Sequence, residues 1–228
     1  MTPHKTNHCK NTKNILYFRT FVVEIIKKLN ICISQMRKLL NEELGRPTLE
    51  EYAEIEKLPV TVVLDNVRSA QNVGSFFRTA DAFGIEHVAL CGISATPPNR
   101  EIHKTALGAE LSVAWSYYGT TLECVEKLRS EGYRILAVEQ IENSTMLDTF
   151  KAEPNTKYAL VFGNEVEGVD QAIADVVDGA IEIPQVGIKH SLNVSVSAGI
   201  LMWEMFRQVG KQQRGALTNK CCKRIILE

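Results

Sequence analysis

The 228-residue chain lacks the signatures of a membrane-spanning, secreted or zinc-bound protein. No apolar run approaches the ~20 residues a membrane span needs, and the apolar stretch Ile15 to Ile33 is broken by Arg19, Glu24, Lys27 and Lys28. Its uninterrupted apolar pieces are too short for a secretory signal, and no small-residue cleavage site follows them. The six cysteines, Cys9, Cys32, Cys91, Cys124, Cys221 and Cys222, show neither C-x-x-C spacing nor a neighbouring histidine pattern. That spacing argues against a zinc site and for buried or idle thiols in a reducing compartment. A soluble, cytoplasmic protein with no membrane partner and no metal is expected.

Three common active-site patterns are also missing. There is no G-x-G-x-x-G fingerprint and no G-x-x-x-x-G-K-[ST] loop. Without a G-x-S-x-G elbow, Asp65, His190 and Ser191 do not read as a hydrolytic triad.

A broad positive charge is absent too, since the net charge is −1. Residues 1–35 hold Lys5, Lys10, Lys13, Arg19, Lys27 and Lys28 against Glu24 alone, and residues 207–228 hold Arg207, Lys211, Arg214, Lys220, Lys223 and Arg224 against Glu228 alone. The middle of the chain is therefore acidic. Any hold on nucleic acid needs a local patch, for which Arg68, Arg100, His103, Lys104, Lys189 and His190 are candidates, or the tails.

What is present is an alternation of apolar runs with helical patterns. Residues 1–35 read as a basic extension, either disordered or lying upstream of a true start at Met36. Short helices are expected over 36–59, one from Met36 closed by Gly45 and Pro47 and one opened by the capping box Thr48-x-x-Glu51. Continuous apolar runs at Val60–Leu64, His87–Cys91 and Tyr158–Phe162 read as buried strands, with further strands over Ser112–Tyr118 and Tyr133–Val138. Helical spacing of Val73, Phe76, Phe77, Ala80 and Phe83 gives a helix stopped by Gly84. Further helices are expected over Arg100–Glu110, Leu122–Ser130 and residues 170–177. Last comes Ile181 to Met205, a short strand, a Pro184/Gly187 turn, a polar cluster and a long apolar helix in which Val194, Val196, Ile200, Leu201 and Trp203 read as core. Such a chain predicts an α/β fold with a parallel sheet flanked by helices and ligands bound beyond the strands' C-terminal ends.

Polar residues gather just there: Asn72 with Arg78, the turn GNEVEG carrying Glu165, and His190, Ser191 and Asn193. Singly each is ordinary, Asn72 as a helix N-cap, Arg78 as a surface charge, Ser191 and Asn193 as caps of the last helix. Together, Asn72-x5-Arg78-Thr-Ala, then L-V-F-G-N-E-V-E-G, then I-P-x-x-G-x-x-x-S-L-N-V-S-V resemble the three motifs of the SpoU (TrmH-like) branch of the SPOUT RNA methyltransferases, over roughly Val60 to Met205.

The resemblance implies a C-terminal deep trefoil knot, an exception to the rule against threaded chains. It further implies S-adenosylmethionine as cofactor, a homodimer with the site at its interface, and methylation of a ribose 2′-hydroxyl in tRNA or rRNA. Carried onto this chain, it assigns cofactor contacts to Gly163, Ile183 and Leu192. It assigns the reaction site to Asn72, Arg78, Glu165, Ser191 and Asn193, with Arg78 engaging the target phosphate and Ser191 and Asn193 facing it across the dimer interface. Gln185 and Ser197 depart from the Met and Ala common in the family. Residues 60–209 would be the methyltransferase domain and 210–228 a basic tail. Many relatives carry a separate N-terminal RNA-binding domain; with residues 1–59 before the catalytic unit here, substrate choice is expected from the catalytic body, its short ends or the second subunit. The alternative is a non-catalytic RNA-binding or cofactor-binding module of the same fold.

Overall fold

The computed structural model describes residues 37–217, except for the side chains of Asn41 and residues 211–217. The expectations for residues 1–35 and 218–228 lie outside this range. The chain divides into two units, Met1–Arg46 and Pro47–Glu228. In the described part of the first, a single 3-10 turn spans Asn41–Leu44 in place of the helix expected from Met36, and Arg37 pairs with Glu43 at 2.7 Å.

The second unit opens at the predicted capping box: Thr48 Oγ1 accepts from Glu51 N and Glu51 Oε2 accepts from Thr48 N, starting α1 (Leu49–Ala53). There follow β1 (Leu58–Asp65), α2 (Ala70–Phe83), β2 (Ile85–Cys91), α3 (Arg100–Ala106), a 3-10 turn (Ala109–Leu111), β3 (Ala114–Tyr118), α4 (Thr121–Ser130) and β4 (Tyr133–Val138). The chain ends with β5 (Thr145–Met146), β6 (Lys157–Phe162), α5 (Gln171–Ala174), β7 (Gly179–Glu182) and α6 (Val194–Leu217), the last running beyond residue 209. Two-residue β5 was not foreseen, being too short to show a pattern; it exists through its pairing with β7.

The seven strands form one parallel sheet ordered β3-β2-β1-β6-β4-β7-β5. Alternate residues feed two cores. Val60, Val62, Leu64, Leu160 and Phe162 pack beneath α2, α3 and α6, while Val63, Ala89, Ala159 and Val161 pack beneath α4 and α5. Two covered faces explain why the strands read as unbroken apolar runs.

The inner stripe of α2, Val73, Phe76, Phe77 and Ala80, is fully buried, each large side chain stabilising by about 1.5–3 kcal/mol. Phe76 meets Phe162 edge-on at 5.3 Å, so α2 is keyed to the last residue of β6. On α6 the buried stripe is Ala198, Leu201, Met202, Met205 and Val209. Val196 and Trp203, expected in the core, are half exposed. They lie on another face of a helix that is apolar nearly all round, so apolarity alone could not choose the inner stripe.

Beyond β1 the chain turns toward β2 and β3; beyond β6, β1's other neighbour, it passes over β4 to β7. A crevice opens at the C-terminal ends of strands where successive connections diverge in this way.

Candidate functional site

The turn after β6 is the tightest feature of that crevice. Asn164 and Gly168 exchange backbone hydrogen bonds of 3.1 Å in both directions, and Asn164 Oδ1 accepts from Val166 N and Glu167 N. A Cβ on Gly163 would sit 1.9 Å from Gly168 C. Gly168 has φ +71°, and a Cβ there would meet Glu139 Oε2 at 2.2 Å. The two glycines are thus required by close backbone approach and by a left-handed conformation.

This turn holds Glu165 against the N-terminus of α2. Its Oε2 accepts from Arg68 N (3.0 Å), and its Oε1 from Ser69 N (3.0 Å) and Asn72 Nδ2 (2.8 Å). A carboxylate there satisfies main-chain donors and complements the helix dipole. Burial alone would raise the Glu165 pKa, but the hydrogen bonds from Asn72, Arg68 and Ser69 outweigh it and hold the carboxyl below the usual range.

Asn72 is not the N-cap. Ser69 caps α2, its Oγ accepting from Asn72 N, so Asn72 falls within the first turn and its amide is free to reach outward. Asn72 Oδ1 accepts from Asn193 Nδ2 at 3.3 Å. Asn193 in turn caps α6, its Oδ1 accepting from Ser195 N and Oγ. Asn72, Glu165 and Asn193, predicted from three separate stretches, therefore form one connected node joining two helix N-termini to the turn after β6.

Ser191, expected to cap α6, does not: it is exposed, and Asn193 has taken the position two residues before Ser195 where a side-chain oxygen meets the orphan amide. Ser191 instead lines a cavity of about 500 Å³ at the C-terminal ends of β4, β6 and β7. Gly163, Ile183 and Leu192, the expected cofactor positions, line it as well, as do Glu165 and Asn193. Arg78 stands apart from the node, exposed on α2, and its side chain has no ion pair or hydrogen bond to a described residue.

Glu139 and Gln140, on the loop after β4, also line the cavity and were not foreseen from the sequence. Glu139 Oε2 accepts from Val169 N (3.2 Å), and Gln140 Nε2 donates to His190 O (2.8 Å). The loop after β4 thereby tethers both other loops of the cavity. Their position just past a parallel strand's C-terminal end was the available signal, the same one that singled out Glu165. Among the described residues no His, Cys, Asp and Glu cluster suits a metal ion, and no helix is long and apolar enough to cross a membrane.

Comparison with known proteins relates the chain to a family. A protein of Staphylococcus aureus (strain MSSA476), named as a TrmH family tRNA/rRNA methyltransferase, is 31% identical over 160 residues, 70% of this chain and 63% of that one. The chain thus spans less than two thirds of the length of such curated relatives. Among solved structures, the A. aeolicus TrmH/SpoU tRNA modifying enzyme has a TM-score of 0.66 at 26% identity, covering 77% of this chain and 86% of that one. The AdoMet-bound rRNA methyltransferase from Sinorhizobium meliloti has a TM-score of 0.62 at 26% identity, covering 68% and 59%. The model of the SpoU rRNA Methylase family matches residues 59–203, from the start of β1 to the middle of α6, and the chain belongs to that family.

Proposed function

We propose that the protein is a cytoplasmic, S-adenosylmethionine-dependent RNA methyltransferase that methylates a ribose 2′-hydroxyl in tRNA or rRNA as a homodimer. Residues 60–209 are its catalytic unit, preceded by the 3-10 turn Asn41–Leu44 and the short helix α1 and followed by a basic tail. The observation that carries this reading is the Asn72–Glu165–Asn193 node at the rim of a cavity floored by backbone that no side chain could replace.

The cavity fits the cofactor. Its apolar walls, Val138, Phe162, Ile183 and Leu192, suit an adenosine, and the Gly163–Gly168 backbone leaves room for close main-chain contact. Bound S-adenosylmethionine supplies a sulfonium methyl with a good leaving group, so the protein's task is alignment and loss of one proton. The node fixes the rim on which the ribose must rest. Arg78 grips the neighbouring phosphate and polarises the hydroxyl; a guanidinium that stays protonated is no general base, so a phosphate oxygen or water takes the proton.

The order β6-β4-β7 supports the threaded knot. The loops after β6 and β7 are bonded to the loop after β4 between them, and α6 then returns to the α2 side of the sheet. The half-exposed Val196 and Trp203 on α6 support a second subunit.

Transfer of tritium from labelled cofactor to unfractionated tRNA and rRNA tests the activity, and mapping ribose methylation in cells with and without the protein locates the target. Cofactor binding with no incorporation into either RNA overturns catalysis in favour of a non-catalytic module.

A further inference from the structure

The described arginines of the second unit divide sharply. Arg129 pairs with Asp178 at 3.1 Å, Arg134 with Glu153 at 2.5 Å and Arg207 with Glu204 at 2.5 Å. Arg68 and Arg100, like Arg78, are exposed and have no ion pair or side-chain hydrogen bond to any described residue. Three carboxylates of this region are engaged elsewhere. Glu165 is taken by its three donors. Glu101 is held by Lys104 at 2.6 Å and Gln71 at 3.3 Å. Buried Asp65 accepts from Thr121 Oγ1, Asn66 Nδ2 and Asp170 N.

Both arginines are anchored beside the node. The main chain of Arg68 is bonded directly to Glu165. Arg100 opens α3, which is pinned to the first turns of α2. Thr105 Oγ1 donates to Gln71 O at 2.9 Å, Gln71 reaches Glu101, and a Cβ on Gly74 would lie 2.3 Å from Ile102 O. The scaffold is rigid where the guanidinium groups are uncommitted. On a body that is otherwise acidic, such sites suit a polyanion approaching the node, and the guanidinium fork matches phosphate oxygens.

We infer that Arg68 and Arg100 grip the RNA backbone beside the reacting nucleotide, extending the contact made by Arg78. This rests on the RNA reading above, and it assigns to the catalytic body the RNA hold that its net charge does not supply.

The test is retention of unfractionated tRNA and, separately, total rRNA by the full chain over a salt series, comparing wild type with R68Q/R100Q and with the control R129Q/R134Q. With an unchanged thermal midpoint, R68Q/R100Q is expected to lose at least tenfold in affinity at moderate salt. Its slope of log affinity against log salt should flatten by about 1.4–1.8, from ~0.7–0.9 per released phosphate contact. The control should keep the wild-type slope. Wild-type binding with an unaltered slope in R68Q/R100Q, or an equal loss in the control, overturns the inference alone. Wild-type protein that retains neither RNA at low salt overturns the RNA reading, and the inference with it.

Discussion

Asn72 Nδ2 donates to Glu165 Oε1 at 2.8 Å across 93 residues of chain, and this one bond ties the first turn of α2 to the turn after β6. It makes the rim of the cavity a single piece: moving either element moves the other.

Replacing Glu165 by Gln removes the charge and leaves one oxygen for three donors. Leaving main-chain donors unmet costs about 1–3 kcal/mol, so a lowered urea midpoint and weaker S-adenosylmethionine binding by calorimetry are expected. An unchanged midpoint would show that the turn holds itself.

The same carboxylate predicts a pH dependence. Its folded pKa lies below the ordinary value, about 4.3 for a free Glu. Its stabilisation is therefore complete above that value and fades as pH falls through the lower folded one. Urea midpoints of wild type and Glu165→Gln should differ at neutral pH and converge in acid; a constant gap would contradict this.

Gly163→Ala places a methyl group into the Gly168 backbone. It should destabilise by more than about 2 kcal/mol, as overpacking against main chain does, and abolish cofactor binding. Gly179→Ala, whose Cβ meets Leu136 Cδ2 at an ordinary 3.5 Å, should be neutral or stabilising by up to ~1 kcal/mol. Thermal melts of the pair separate close approach from a general cost of losing glycine.

Asn193 and Ser191 should part company. Asn193→Ala removes the α6 cap and the bond to Asn72, costing about 1 kcal/mol, whereas Ser191→Ala, with no hydrogen bond to lose within the described residues, should leave the melting midpoint unchanged and lower only methyl transfer.

The exposed face of α6 predicts assembly. Trp203→Glu, half exposed in the single chain, should leave the fold intact and convert a dimer to a monomer in sedimentation velocity; a wild-type monomer would remove the dimer from the proposal.

The sheet and most helices were legible because their causes are local. Strands covered on both faces must be apolar throughout, as Val60–Leu64 and Tyr158–Phe162 are, and Thr48 with Glu51 announces a helix start within four residues. The cavity positions Gly163, Ile183 and Leu192 were legible through the motif pattern. The stripe of α6 that turns inward was not, because Val196 and Trp203 are as apolar as Leu201 and Met205. Nor were the cap of α2, which fell to Ser69 rather than Asn72, and the tethers Glu139 and Gln140.

The sequence by itself determined the class of fold and which residue types stand beyond which strands, since both follow from short-range patterns of burial, turns and caps. Only the tertiary structure decided that Asn72, Glu165 and Asn193 meet while the side chains of Arg68, Arg78 and Arg100 keep no partner among the described residues. Strand order β1-β6 brings distant turns together, and which charges are left over depends on which neighbours that order supplies.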